Sequence, residues 1–429
     1  MAGVRQVQAE ESEVPVRTFK DPQELLARSR LVERFLRYVK IDTQSSEECP
    51  ESPSTKKQLD LARLLADELR ELGVADVVLD ESGYLTAELP GNAGGRVGLC
   101  AHLDTAPAFS GTDVKPRLHE SYDGSPIRLG GDVVIDPQDC PELAQSKGDT
   151  IITADGTTLL GADDKAGIAA IMAALEVLLA EPEVKRPTLR ICFNPDEEIG
   201  RGASKFPLER FGCPVAFTVD GGFPGEMNVE TFSADKAVVV FKGVAVHPGY
   251  AKHKMVNALT YMGKLLARLP MAEAPECTEH REGFYHPTNA SGDAAECKLS
   301  LIIRDFDVAV LKQRGERLKK MADALMAEEP KLKVTVEIEE QYRNMHDELG
   351  KRPQIASNLQ RAIEMTGLVP HVKPIRGGTD GSRLTAMGMP TPNLFAGGVN
   401  FHGPQEWVST RSLALSACAI LNLVQIYAE

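Results

Sequence analysis

Five short segments place acidic residues and histidines where a chemically active site could form. They are "AHLDTAP", "GADDKAG", "NPDEEIG", "VDGG" and "NFHGP", which carry His102, Asp104, Asp163, Asp164, Glu197, Glu198, Asp220 and His402. Neutral imidazole and carboxylate groups are good ligands for zinc and similar divalent ions. Two such ions about 3.5–4 Å apart can clamp and activate a water molecule for hydrolysis. The residue types therefore predict a two-metal hydrolytic centre if the five segments meet.

Each segment also has a simpler interpretation. Adjacent glutamates such as Glu197 and Glu198 are common on solvated surfaces. Asp163 and Asp164 could cap a helix, whose N-terminus favours negative charge. The His-x-Asp of "AHLDTAP" could be a hydrogen-bonded turn, the aspartate of "VDGG" could begin a turn, and the histidine of "NFHGP" could be a lone loop residue. All of these interpretations would have to hold together, which favours a shared site.

A centre for two ions needs one histidine on each metal, a carboxylate between the metals and a terminal carboxylate on each. The set that meets this need is His102, His402, Asp163, Glu198 and Asp220. Glu197 cannot easily bind metal beside Glu198, because neighbouring side chains of a strand point to opposite faces. It can instead act as general base and later protonate the leaving amine. Asp104 behind a metal-bound His102 would orient the ring and raise its basicity.

The elements that must position these residues are short apolar runs alternating with helices. "RVGLCAHLD", "PTLRICFNPDEE" and "TPNLFAGGVNFHG" each run from an apolar segment into a polar cluster, and helical stretches such as "AGIAAIMAALEVLLAEP" intervene. This alternation predicts an α/β fold whose sheet is covered on both faces. Ligands of such sheets bind beyond the carboxyl ends of the strands, where the polar clusters fall.

The pattern changes between about residues 230 and 344. "KAVVVFKGVAVHPG", "AECKLSLIIRDFD" and "KLKVTVEIEEQY" are typical of antiparallel strands, separated by two helical stretches. We therefore expect an inserted α+β domain over 230–344 and a catalytic domain formed by 31–229 and 345–429. Residues 1–30 are polar and weakly periodic, which predicts a loose N-terminal extension.

Composition restricts the class of protein. The 429 residues suggest two domains, and 42% hydrophobic with 26% charged residues is typical of a globular protein. The formal net charge of −14 argues against nucleic acid as a partner. Eight scattered cysteines without a CxxC pair indicate reduced thiols and a cytoplasmic location. No signal-peptide core and no long apolar run is present, so we expect neither secretion nor a membrane partner.

At these segments the sequence resembles the peptidase T family of tripeptide aminopeptidases, among the co-catalytic zinc exopeptidases. The likeness runs from about Leu31 to the C-terminus and includes "AHLDTAP", "GADDKAGIA", "NPDEEIG", "VDGG", "HPGYAK", "RGGTDGSRL" and "FHGPQEW" in the family's order. It implies a phosphorylase/hydrolase-like α/β catalytic domain with an inserted α+β lid or dimerisation domain. The first thirty residues precede the family's usual start.

The resemblance also implies a role for each residue of the site. Two zinc ions per subunit would be bridged by Asp163, with His102 and Asp220 on one ion and Glu198 and His402 on the other. Glu197 would be the general base, and Asp104 would orient His102. The inserted domain of the family often pairs subunits, so a homodimer is expected.

A small peptide needs a cation for its carboxylate and an anion for its amine. The resemblance implies that His247 polarises the scissile carbonyl, while Asn257 and Arg304 contact the substrate. Arg376 in "RGGTDGSRL" would belong to an anion nest. The alternatives are a strand-end turn at His247, a surface ion pair at Arg304 and a tight turn around Arg376. Because these residues are far from the metal ligands in sequence, we expect the two domains to close over the substrate.

The function that we expect is release of the N-terminal residue from tripeptides by a water molecule that two zinc ions activate. A dipeptidase or an N-acyl-amino-acid deacylase would use the same metal chemistry and is the main alternative. A non-catalytic peptide-binding protein is less favoured, because such proteins lose ligands or the base and every expected position is filled here.

Overall fold

The N-terminal segment is more ordered than the sequence indicates. The computed structural model describes residues 17–429, and residues 1–16 of the predicted extension lie outside that range. Residues 17–30 contradict the prediction of a loose extension. Asp21 caps a helix over Pro22–Arg28, and Leu25 of that helix is buried. Phe19 exchanges backbone hydrogen bonds with the side chain of Asn422, so the segment packs on the C-terminal helix.

The helices surround the sheets in chain order. They are α1 (Pro22–Arg28), α2 (Leu31–Tyr38), α3 (Gln58–Glu71), α4 (Pro141–Gln145), α5 (Ala162–Ala180), α6 (Leu208–Phe211), α7 (Ala258–Arg268), α8 (Val308–Glu328), α9 (His346–Gly350), α10 (Pro353–Glu364), α11 (Asp380–Ala386) and α12 (Thr410–Ile426). Nearly every residue of α5 and α12 is buried, and the two helices contact each other. None of the helices in the described part of the chain has the length and hydropathy of a bilayer-crossing segment.

The largest sheet is mixed and has eight strands. They are β1 (Ala75–Leu79), β2 (Leu85–Leu89), β3 (Arg96–His102), β8 (Thr188–Asn194), β9 (Ala216–Gly221), β10 (Glu226–Asn228), β15 (His371–Val372) and β16 (Asn393–Phe395). Their order across the sheet is β1-β2-β8-β3-β9-β16-β10-β15. The central neighbours β8, β3, β9 and β16 run parallel, so their carboxyl ends meet at one edge.

Helix α5 covers the centre of this sheet at unusually short range. A Cβ atom on Gly167 would lie 1.8 Å from the carbonyl oxygen of Val219 in β9. Any side chain at this position would therefore push α5 away from the strand. The glycine lets the start of α5, which carries Asp163, sit directly over the strand that carries Asp220.

A second, fully antiparallel sheet has the strand order β12-β13-β11-β14. Its strands are β11 (Ser233–Lys242), β12 (Phe284–Gly292), β13 (Glu296–Asp305) and β14 (Lys333–Tyr342). Helices α7 and α8 cover one face and enclose a separate apolar cluster that includes Phe241, Leu301 and Leu318. This unit lies within the stretch that we expect to be inserted, and the exact domain boundaries stay a prediction.

Short strands complete the fold beside the main sheet. One sheet has the order β17-β18-β7-β4 and a two-stranded sheet pairs β5 with β6. Their strands are β4 (Arg117–His119), β5 (Ile127–Arg128), β6 (Val134–Ile135), β7 (Ile151–Thr153), β17 (Gly398–Val399) and β18 (Trp407–Ser409). Pairing of β18 with β7 brings the segment after His402 next to the segment before Asp163.

Candidate active site

The carboxyl ends of the central strands bring the predicted residues together. His102 is the last residue of β3, Asp220 lies in β9, and the glutamate pair follows β8. Asp163 stands at the start of α5, and His402 lies in the loop between β17 and β18. A cavity of about 810 Å³ opens at this edge and is lined by Asp163, Glu197, Glu198, Asp220 and His402.

Asp163 lies between the two histidines. His102 Nε2 is 2.8 Å from Asp163 Oδ1, and His402 Nε2 is 3.2 Å from Asp163 Oδ2. Each histidine has a second carboxylate nearby: Asp220 Oδ1 is 3.5 Å from His102 Nε2, and Glu198 Oε2 is 3.0 Å from His402 Nε2. The structure therefore brings all five predicted ligands together, in the predicted pairs around Asp163.

The donor atoms of this cluster fit divalent cations. His102, Asp163 and Glu198 offer ligand atoms that all lie within 4.8 Å of one another, and so do His102, Asp164 and Asp220. Glu198 Oε1 is buried and has no hydrogen-bond partner among residues 17–429. A buried carboxylate oxygen without a partner is costly unless a ligand binds it. Imidazole and carboxylate donors suit zinc, cobalt and manganese.

The pKa values reflect the crowding of negative charge. Burial, with repulsion from Asp163, raises the pKa of Glu198 to about 7. Burial also raises the pKa of Asp220 to about 6. Hydrogen bonds to Asp163 and Glu198 raise the pKa of His402 to about 11. Bound cations would relieve this repulsion, so the electrostatics agree with the donor chemistry.

Glu197 and Asp104 form a unit beside the cluster. The Glu197 N–H donates to Asp104 Oδ1 at 2.9 Å, and the Glu198 N–H donates to Asp104 Oδ2 at 3.2 Å. Burial, with repulsion from Asp380 and Asp220, raises the pKa of the Glu197 carboxyl well above its usual range. A carboxylate with a raised pKa at the cavity wall has the properties of a general base.

Asp104 contacts His102 differently from the prediction. The closest partner of His102 Nδ1 is the backbone oxygen of Asp104 at 3.0 Å, whereas the carboxylate oxygen lies 3.5 Å away. The carboxylate is engaged mainly by the two glutamate N–H groups. One residue therefore positions both the histidine ring and the turn that carries Glu197, and its precise role stays a prediction.

Comparison with known proteins identifies the family of the chain. A model described as peptidase family M20/M25/M40 matches residues 147–426. A relative named Peptidase T from Geobacillus thermodenitrificans (strain NG80-2) is 47% identical over 94% of this chain and 99% of its own length. Another Peptidase T, from Desulfitobacterium hafniense (strain DSM 10664 / DCB-2), is 49% identical over 94% of this chain and 99% of its own.

This chain belongs to peptidase family M20/M25/M40.

Structural neighbours of this M20-family chain confirm the fold. Aminopeptidase PepT from Bacillus cereus ATCC 10987 has a TM-score of 0.73 at 22% identity, covering 96% of this chain and 100% of its own. A tripeptidase from Staphylococcus aureus subsp. aureus Mu50 has the same TM-score and identity, covering 96% and 99%. A third neighbour, Bacillus subtilis YXEP, is described as a dinuclear metal-binding M20 peptidase and has a TM-score of 0.65 at 15% identity, covering 94% and 98%.

These comparisons bear out several predictions made from the sequence. The resemblance to the peptidase T family is confirmed, and so is an α/β fold with an inserted α+β domain. Membership of a peptidase family also confirms the prediction of a hydrolase.

The M20 site contains a buried carboxylate that sequence reasoning missed. Glu406 is 1% exposed and accepts hydrogen bonds from the N–H groups of Leu160 and Gly161 at 2.8 Å and of Asp163 at 3.0 Å. It stands four residues after His402, so it ties the two ligand loops together. The acid beside the buried Trp407 in "FHGPQEW" was the available signal, but its partners lie more than 240 residues away.

Two further buried side chains hold the same region. Asp164 accepts from the N–H groups of His102 and Gly167, which joins β3 to α5. Asp196, immediately before the glutamate pair, accepts from Ser54 and from the Gln58 side chain. Sequence reasoning assigned neither contact, because both partners come from distant segments.

The predicted substrate contacts divide into two groups. Arg304 and Arg376 line the cavity, whereas His247 and Asn257 do not. His247 is exposed and accepts from the Gly249 N–H at 3.1 Å, and Asn257 caps α7 by accepting from the Leu259 N–H at 3.0 Å. A substrate contact from either residue requires the inserted domain to close, so these two roles stay predictions.

Arg376 is engaged by the inserted domain. Its Nη atoms donate to the backbone oxygens of Thr278, His280 and Glu282 and to the Thr278 hydroxyl. The guanidinium also lies 5.1 Å from the centre of the Phe232 ring. These contacts link the loop after β15 to the second sheet and occupy the Nη donors that the predicted anion nest would need.

Proposed function

We propose that this M20-family chain is an aminopeptidase that uses two divalent ions to remove the N-terminal residue from tripeptides. The observation that carries the proposal is the placement of Asp163 between His102 and His402 at a cavity that also contains Glu197 and cationic side chains. The cavity volume of about 810 Å³ falls within the usual range of small-ligand sites, roughly 300–1,000 Å³. The relatives named Peptidase T support the same substrate class.

The five clustered side chains would hold the metal ions, which we take to be zinc. Asp163 would bridge them, with His102 and Asp220 on one ion and Glu198 and His402 on the other. Two bound ions would lower the pKa of a water molecule and stabilise the charge that develops on the scissile carbonyl. The unpartnered Glu198 Oε1 and the short distances on both sides of Asp163 support this assignment.

Glu197 would carry the proton transfers. It takes a proton from the attacking water and later gives it to the amine of the departing dipeptide. The bonds from Asp104 to the backbone of Glu197 and Glu198 hold that turn in place, so the base and the adjacent ligand are fixed together.

Charge in the cavity orients the peptide. Arg304 and Arg383 line the side contributed by β13 and α11, and the acidic cluster forms the opposite end. A substrate carboxylate bound by the arginines points away from the metal centre. The first peptide bond of a short peptide then lies at Glu197, which favours aminopeptidase cleavage.

We extend the proposal to assembly and location. A homodimer through the second sheet is supported by β12, whose residues 286–292 form an exposed edge strand of the kind that pairs with other chains. A cytoplasmic location is supported by the eight cysteines, all of which are free.

The products of a plain tripeptide test the function. The zinc-loaded protein should convert Met-Gly-Gly into methionine and Gly-Gly, and it should leave N-acetyl-Met-Gly-Gly intact because the free amine is part of the substrate. Formation of Met-Gly and glycine would indicate a carboxypeptidase instead. Cleavage of Met-Gly alone would indicate a dipeptidase, and cleavage of N-acetylmethionine alone would indicate a deacylase.

A further inference from the structure

Four cationic side chains line the active-site cavity, and most of them are already engaged. They are Arg304, Lys373, Arg376 and Arg383. Lys373 forms an ion pair of 3.1 Å with Glu226. Arg376 donates four hydrogen bonds to the inserted domain, and Arg304 donates one, to the backbone oxygen of Arg376 at 3.1 Å.

Arg383 differs from the other three. Its guanidinium makes no hydrogen bond and no ion pair with any side chain or backbone group of residues 17–429, although the residue is partly buried. Its charged group lies 5.8 Å from the centre of the Tyr342 ring, which supports it from one side. A partly buried charge without a partner is unfavourable, so five unused donors indicate a place for an anionic ligand.

The position of Arg383 relates it to the reacting bond. A Cβ atom on Gly200 would lie 2.8 Å from Arg383 Nη2, so the guanidinium packs against the loop just beyond Glu197 and Glu198. It reaches this loop from α11, a different element from the one that carries the glutamates. The unused cation is therefore held close to the catalytic turn.

Distance along the substrate limits which anion can reach both places. In an extended peptide each residue spans at most about 3.3–3.6 Å, so the carboxylate of a tripeptide lies about 7 Å beyond its first peptide bond. The carboxylate of a longer peptide would extend past this point. A guanidinium matches a carboxylate with two parallel hydrogen bonds, which a neutral amide terminus cannot reproduce.

We propose that Arg383 binds the C-terminal carboxylate of the substrate and thereby selects tripeptides with a free C-terminus. The assignment rests on the proposed aminopeptidase function, because that function places the first peptide bond at Glu197. Arg376 then has a structural task, and Arg383 is the specificity determinant of the same loop.

The test compares Met-Gly-Gly with its C-terminal amide, Met-Gly-Gly-NH2. The zinc-loaded wild type, Arg383→Met, Arg383→Lys and Lys373→Met are measured for kcat, KM and bound zinc. The wild type should prefer the free acid by about 10- to 100-fold in kcat/KM, the factor expected for a charge-assisted hydrogen-bonded pair. Arg383→Met should lose that preference, mainly through a higher KM for the acid, while its rate on the amide and its zinc content stay near wild type.

The two other variants separate binding from structure. Arg383→Lys keeps the charge without the fork and should retain part of the preference, which keeps the test informative if the methionine variant does not fold. Lys373→Met removes a cation that is already paired and should keep the full preference. Equal losses on acid and amide in Arg383→Met would overturn the inference, and so would a wild type that cleaves both substrates equally.

These outcomes are distinct from failure of the proposed function. A wild type that cleaves neither substrate refutes the aminopeptidase assignment itself. A wild type that releases methionine from both substrates without preference leaves that function standing and refutes only the role of Arg383.

Discussion

Replacement of Glu406 by glutamine tests how the two ligand loops are held. Glu406 Oε2 accepts from the N–H groups of Leu160 and Gly161, and Oε1 accepts from the N–H of Asp163. Glutamine keeps one oxygen, which can still accept the first pair. Its NH2 group would then face the Asp163 N–H, so one buried donor loses its partner at the residue between the two histidines.

The size of the effect follows from that single lost partner. A buried donor left without an acceptor costs about 1–3 kcal/mol. Because the donor belongs to Asp163, the cost falls on the turn that presents the predicted bridging ligand. Groups that orient metal ligands typically contribute a factor of about 10–100 in metal affinity, and about 1.4 kcal/mol corresponds to a factor of ten. We therefore expect Glu406→Gln to weaken zinc binding by roughly 10- to 100-fold.

Competition with a chromophoric zinc chelator measures that affinity, and Glu68→Gln provides the matched control. Glu68 is also buried and accepts from Arg34 and Tyr38, but it lies on α3 and does not line the cavity. Its glutamine variant should lose stability in urea unfolding and keep wild-type zinc affinity. A folded Glu406→Gln protein with wild-type zinc affinity would refute the reasoning, and so would equal affinity losses in both variants.

Two further predictions concern stability. Chelation should lower the melting temperature, because it returns the repulsion among the clustered carboxylates and because a ligand at 100 times its Kd stabilises a fold by about 2.7 kcal/mol; identical melting curves with zinc and with chelator would contradict this. Gly167→Ala should destabilise the protein by roughly 1–3 kcal/mol, because its methyl group meets the Val219 carbonyl in a tightly packed core. Urea unfolding measures the loss. Gly263→Ala on α7, where a Cβ would meet nothing within 4 Å, is the control and should be neutral or stabilising; equal effects of the two alanines would count against the packing argument.

The metal cluster could be predicted because strand ends are visible in the sequence. His102 and Asp220 end apolar runs that become the parallel neighbours β3 and β9. Carboxyl ends of parallel strands meet at one edge, so residue type and position together indicated the site. The glutamate pair follows the same rule after β8.

The supporting contacts could not be predicted, because they depend on segments far apart in the chain. Glu406 reaches Asp163 across 243 residues, and Arg383 stands out only after its neighbours are seen to be paired. The helix over Pro22–Arg28 is short, and packing on α12 rather than its own periodicity stabilises it. At Asn257 the local cap of α7 accounts for a side chain that the resemblance alone had assigned to substrate.

Hydrolysis of Met-Gly-Gly by the zinc-loaded wild type, its chelated form and Glu197→Ala tests the central claim most directly. We expect the wild type to release methionine, the chelated form to lose the activity and regain it with zinc, and Glu197→Ala to bind two zinc ions yet turn over about 10²- to 10⁴-fold more slowly. A wild type that binds two metal ions and leaves tripeptides intact would contradict the account, as would a Glu197→Ala variant with the wild-type rate.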